Sequence, residues 1–182
     1  LESRSRAESR GRSVERYRVE TGELIDIARA MTTERSVDKL LGLILQKSRM
    51  VTTADAGSIY VVEADDTGTK LRFKLTQNDS VRFDSREFTM PISTRSIAGS
   101  AALDKRPINI ADVYDLPPGQ TFSFDRSFDD RVGYQTKSML TMPLISQRDE
   151  VIGVIQLINR KKSPERRLVN RADVDAHVVP FD

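Results

Sequence analysis

The feature that most constrains this chain is a pair of aliphatic, β-branched runs near its end, Ser138–Leu144 and Val151–Ile158, separated by the turn residues Gln147-Arg148-Asp149-Glu150. Each run has strand length, and the short polar break predicts that they pair antiparallel. Gln156 lies among aliphatics in the second run. Its amide either faces a buried site, where it needs a partner, or turns outward. A second hairpin reads the same way upstream: Ser58–Val62, the turn Asp65-Asp66-Thr67-Gly68, then Lys70–Leu75, whose Leu71, Phe73 and Leu75 fall on one face.

Ahead of these strands the period is helical. Val14, Tyr17, Thr21, Leu24, Ala28 and Met31 form a narrow stripe, suited either to pairing with a second copy or to packing on the domain's own sheet. Thr32, Thr33 and Ser36 interrupt it and offer an N-cap. Val37, Leu40, Leu41, Ile44, Ser48 and Val51 then give a broader face, expected to bury against a sheet. Between the hairpins lie an extended piece at Phe88–Ile92, a small-residue helix at Ser96–Leu103, a short strand at Pro107–Ile110 and a long loop from Tyr114 to Phe124. Such a loop is expected to act as a lid or binding loop. The charged stretch from Arg160 to Asp175 reads as a surface loop. These elements predict an α+β domain with helices packed on a mostly antiparallel sheet.

Composition removes most chemistries. With no cysteine there is no thiolate nucleophile and no thiolate metal site, and His177 is the only histidine. Phosphate-cradling and dinucleotide glycine loops are absent from the sequence. No apolar run spans a bilayer and no apolar signal segment opens the chain, so the expected setting is the cytoplasm. Residues 1–19 carry Arg4, Arg6, Arg10, Arg12, Arg16 and Arg18 against three glutamates. With Tyr17 the one aromatic among them to stack a base, they read as a basic lead-in helix, not as a nucleic-acid site. Asp125, Asp129 and Asp130 cluster beside Arg126 and Arg131, which reads as a solvated, charge-balanced surface. Neither catalytic nor metal-binding residues are expected.

The run Phe128-Asp129-Asp130-Arg131-Val132-Gly133-Tyr134-Gln135-Thr136-Lys137-Ser138-Met139-Leu140, then Pro143 and Ile152-Gly153-Val154-Ile155-Gln156-Leu157-Ile158-Asn159-Arg160, resembles GAF domains of the type found in cyclic-nucleotide phosphodiesterases and cyanobacterial adenylyl cyclases. The resemblance extends back through Ala54–Ser58 to about Glu23 and implies a PAS-like fold over 20–182, a central antiparallel sheet with helices on both faces. It implies a non-enzymatic sensor domain, with ligand-binding positions at Ser58, Phe73, Ile97, Ala98, Asp129, Val132, Thr136 and Gln156. Three positions depart from the cyclic-nucleotide pattern: Lys74 stands for an aspartate, Val132 for a threonine, and Arg126 for a tyrosine or asparagine. Inward-facing Lys74 and Arg126 would favour an anionic ligand.

The same resemblance places Asn159-Arg160 and Phe181 in a bracing ion-pair signature whose acidic members would follow Asp182, so a truncated last helix and a following effector domain are expected. No cofactor is implied, since a bilin is normally held by cysteine and histidine. The expected partners are a small molecule, plausibly a cyclic nucleotide, a second copy of the chain through the N-terminal helices, and that effector domain. The competing expectation is a constitutive dimerisation module whose pocket is filled by its own side chains.

Overall fold

The structure is a computed structural model that describes residues 37–66, 68–82 and 86–182. The basic lead-in at 1–19 and the Val14–Met31 stripe therefore lie outside the described residues. The chain divides into two compact units, 1–47 and 48–182.

In the first unit the described residues form most of α1 (Val37–Thr52), whose last turn belongs to the second. Asp38 in its first turn and Arg49 in its last oppose the helix dipole. The expected apolar face is not the most deeply buried one: Leu45, outside it, is fully buried, Leu40, Leu41, Ile44 and Ser48 are half-buried, and Val37 and Val51 are exposed. Thr53 adopts a left-handed backbone (φ 55°) and stops the helix.

The second unit is built on β1 (Ala54–Asp65), β2 (Gly68–Asn78), β3 (Phe88–Pro91), β4 (Ile108–Ile110), β5 (Met139–Ile145), β6 (Val151–Lys161) and β7 (Val178–Val179). They form one sheet in the order β3-β2-β1-β6-β5-β4, with β7 beside the end of β6. All these pairings are antiparallel. Three further helices, α2 (Ile97–Asp104), α3 (Ser127–Val132) and α4 (Arg171–His177), complete an α+β fold. Both expected hairpins form.

Register assigns the faces. Ser58 sits opposite Thr76 on β2 and opposite Gln156 on β6, which in turn faces Thr141 on β5. These four side chains share a face with Val154, Met139 and Ile158, and α2 covers it. There Ala98 and Ala102 pack with Leu71 and Val154, while Ile97 packs with Ile110, Val113 and Met139. Ile59, Ile155 and Leu157 occupy the opposite face and are fully buried.

Three sequence expectations are corrected. A register shift between Ile59 and Tyr60 inserts Lys74 as an extra residue, so Phe73 pairs with Tyr60 while Leu75 pairs with Ile59. Leu75 thus leaves the face it was expected to share with Leu71 and Phe73. Strand β6 does not stop at Ile158 but runs to Lys161, which is 3% exposed. And the stretch read as surface loop contains α4, capped by the Asn170 side chain on the Asp173 amide.

Candidate functional site

The floor of the site is the polar row of the α2-covered face. Ser58 donates to Thr76 Oγ1 (3.2 Å), and Thr76 donates to the Gly57 carbonyl (2.9 Å). Gln156 directs its amide nitrogen to Thr141 Oγ1 (3.2 Å) and to the Met139 sulfur (3.4 Å). A thioether carries no hydrogen, so the nitrogen belongs at that end of the amide and the oxygen faces the other way. Gln156 is 8% exposed, and no donor among the described residues meets that oxygen. The inward orientation left open by the sequence is the one adopted.

Phe73 borders this row, edge-on to Tyr60 (5.5 Å between centroids) and stacked on Phe88 (5.0 Å). Burial pushes the Tyr60 phenol up to about 12. Above the floor, α2 begins at Ile97 and Ala98, both buried, with Ser96 capping the Gly99 amide (3.0 Å). A side chain at Gly99 would collide with the Ser93 backbone, so glycine is what lets the 93–96 turn fold against the helix.

The loop from Asp112 to Arg126 closes one side. Its Val113 amide donates to the Lys137 carbonyl (2.9 Å) and its Ser123 amide to the Arg95 carbonyl (3.1 Å), while Leu116, Phe122 and Phe124 pack against the Ile97–Met139 cluster. Tyr114, edge-on to Phe124, donates to Asp129 Oδ2 (2.8 Å).

Asp129 on α3 was read as part of a solvated cluster, but it is 4% exposed while Asp130 lies at the surface. Its carboxylate accepts from the Thr136 amide (2.7 Å) and hydroxyl (2.8 Å) as well as from Tyr114. Burial raises the Asp129 carboxyl above its usual value, against these three hydrogen bonds, which lower it. Burial, then the bond to Asp129, pushes the Tyr114 phenol up to about 12. Val132, half-buried, ends α3 before Gly133, whose φ of 66° turns the chain.

The structure thus brings Ser58, Gln156, Ile97 and Ala98 onto one face, with Phe73 at its border. Asp129 and Thr136 are joined to each other beside the loop. Lys74 pairs with Glu87 (2.9 Å), and Arg126 pairs with Asp130 (3.5 Å) and lies over the Tyr114 ring. Sequence reasoning missed Thr76, Thr141 and Tyr114; alternation marks a strand residue's parity but not its cross-strand partner. No group of three potential metal ligands occurs among the described residues, and no described helix is long and apolar enough to cross a membrane.

A second polar cluster, also missed, lies where the start of β1 meets the end of β6. Asp55, fully buried, accepts from Ser80 (2.8 Å), Lys161 (3.0 Å) and Tyr134 (2.8 Å). Asn159 donates to the Tyr134 hydroxyl (3.0 Å). Beside this cluster Arg160 meets Asp182 at the surface (2.7 Å); neither this pair nor Lys161–Asp55 is the ion pair implied for Asn159-Arg160, whose acidic members were expected after Asp182.

A family model for the GAF domain matches residues 36–176. The chain is 30% identical over 151 residues to the cGMP-specific 3',5'-cyclic phosphodiesterase of Drosophila melanogaster, covering 78% of this chain and 13% of that protein. It therefore spans about an eighth of that relative's length. Among solved structures, the fold resembles residues 122 to 287 of a methyl-accepting chemotaxis protein (TM-score 0.58, 25% identity, 82% of this chain and 87% of that one). It also resembles the GAF domain of a phosphoenolpyruvate-protein phosphotransferase from Coxiella burnetii (TM-score 0.58, 19% identity, 77% of each chain).

Proposed function

The chain belongs to the GAF domain family, whose members are regulatory sensor domains, and on that premise we propose that it binds a cyclic nucleotide between the Ser58–Gln156 floor, the start of α2 and the 112–126 loop. The observation that carries this reading is the Gln156 amide oxygen, an acceptor on a buried side chain with no internal donor. An accessible acceptor that no internal donor meets is free to take an N–H from a ligand, and a purine edge supplies one. Ser58 and Thr76 add hydroxyls beside it, and Phe73 adds an apolar wall. The Ala98 amide in the first turn of α2 has no partner within the helix and suits a phosphate. The phosphodiesterase relatives, named for a cyclic nucleotide, support the ligand class.

A domain of this kind has no catalytic role of its own. Its output passes to a neighbouring effector domain, with the Val14–Met31 stripe pairing two copies in the cytoplasm. Leu24→Ala would then lower the mass measured in solution by light scattering, and an unchanged mass would remove the pairing.

Thermal unfolding of the chain with cyclic GMP and cyclic AMP tests the ligand. At 100 times the dissociation constant a ligand adds about 2.7 kcal/mol, several degrees in Tm. A shift that vanishes in Gln156→Met supports the reading. One specific observation favours a second reading, a constitutive dimerisation module: Leu116, Phe122 and Phe124 already pack on the Ile97–Met139 cluster, and Lys74 and Arg126 are paired elsewhere. Unmoved Tm with both nucleotides would favour it.

A further inference from the structure

The stretch 134–137 that leads into β5 is held from two sides. On one side Asp129 takes the Thr136 amide and hydroxyl, the Tyr134 amide donates to the Asp129 carbonyl (3.2 Å), and the same carboxylate holds Tyr114 of the loop. On the other side the Tyr134 hydroxyl donates to Asp55 (2.8 Å) and accepts from Asn159 (3.0 Å). Asn159 also bonds the Gln135 carbonyl and the Lys137 amide, each at 2.7 Å. Tyr134 is 5% exposed, and burial, then the neighbouring Asp55, raises its phenol well above the usual value, so its hydroxyl stays a donor.

Beyond Tyr134 the bonds continue to two distant segments. The Asp55 carbonyl accepts from Arg49 in the last turn of α1 (2.7 Å). The Asp55 carboxylate holds Lys161, which pairs with Val178 of β7. By strand parity Asp55 and Asn159 lie on the face opposite Ser58 and Gln156. Tyr134 is therefore where a bonded chain from the loop crosses to the other side of the sheet.

We propose that Tyr134 is a positioning residue that couples the 112–126 loop to the end of α1 and to β7, so that freeing the loop loosens both. The coupling follows from saturation. The 134–136 stretch supplies two of the three donors to the Asp129 carboxylate, so a carboxylate that loses Tyr114 and draws toward water pulls that stretch with it. Movement there misaligns the Tyr134 hydroxyl, on which Asp55 and Asn159 both depend. The inference goes beyond ligand binding, because every contact in it is internal to the chain.

Hydrogen exchange of the whole chain, read by mass spectrometry, tests it. Tyr114→Phe removes one hydroxyl, a donor to Asp129, from a side chain that is 40% exposed, and leaves the Tyr134, Asp55 and Asn159 side chains unchanged. The expected result is faster exchange, by about fivefold, in the loop and also at Thr53–Ala56 and Val178–Val179. In a Tyr134→Phe background the loop still responds to Tyr114→Phe, and the two distant segments no longer do. A Tyr114→Phe response confined to the loop overturns the proposal, as does a distant response that survives Tyr134→Phe. Should Tyr134→Phe fail to fold, the single Tyr114→Phe measurement still decides.

Discussion

Asp55 and Ser58 share β1, and Lys161 and Gln156 share β6, yet Asp55 and Lys161 do the opposite of Ser58 and Gln156 with their polar atoms. The Asp55 carboxylate receives three donors and the Lys161 ammonium reaches Asp55, Asp79 and the Arg166 carbonyl. Around Gln156 the bonding is incomplete, with the amide oxygen left over. Both regions are more than nine-tenths buried, so burial does not distinguish them. The partners do: the Asp55 carboxylate and the Lys161 ammonium meet theirs inside the chain, whereas no internal donor meets the Gln156 oxygen, which is where the proposed ligand would bond.

The sharpest way to break this comparison is to replace both polar residues by the same apolar one. Lys161→Met leaves Asp55 charged and short of a partner, and should cost about 3–5 kcal/mol in urea unfolding. Gln156→Met keeps the length of the side chain, removes two weak donors, and should cost about 1 kcal/mol or less while abolishing the nucleotide-induced Tm shift. Equal costs would erase the distinction.

Asp129, a candidate ligand residue, likewise has its carboxylate met by three internal donors, and pH probes its burial. Its folded carboxyl value lies above the ordinary 3.8 because burial penalises the charge. The folded state then holds the proton more tightly than the unfolded chain does. The stability this contributes is complete below 3.8 and is lost as pH rises through the raised value. Asp173, lowered first by the Val169 amide and then by Arg166, and Asp175, lowered by Lys137, act in the opposite sense, so the readout is a difference. Urea midpoints followed against pH should show this decline in the native chain and lack it in Asp129→Asn. The smallest effect is expected at Ser58→Ala, which gives up one 3.2 Å bond to Thr76 and should cost about 0.5–1 kcal/mol.

Elements whose burial is apolar were legible in the sequence. The runs around Leu140 and Val154 alternate as strands and form strands, and the small residues of Ile97–Asp104 announce a helix that lies close to the sheet. The Gln156 amide was visible as an anomaly among aliphatics. What escaped depends on pairing at a distance: Lys161 reads as part of a basic surface run because nothing local reveals Asp55, and the tail helix is short, charged and buries mainly Val174. The faces of Phe73 and Leu75 could not be separated by alternation, since the extra residue between them follows from β1 and not from β2 itself.

Strand order also sets a schedule. β1 lies between β2 and β6, and the Thr53 hydroxyl meets the Lys161 carbonyl across 108 positions of chain. On a ribosome adding about 5–20 residues per second, the β1–β2 hairpin waits on the order of ten seconds with one edge unpaired. During that wait Asp55 has no Lys161 to meet, and the exposed edge of β1 is the part of this molecule most open to pairing with a neighbouring chain.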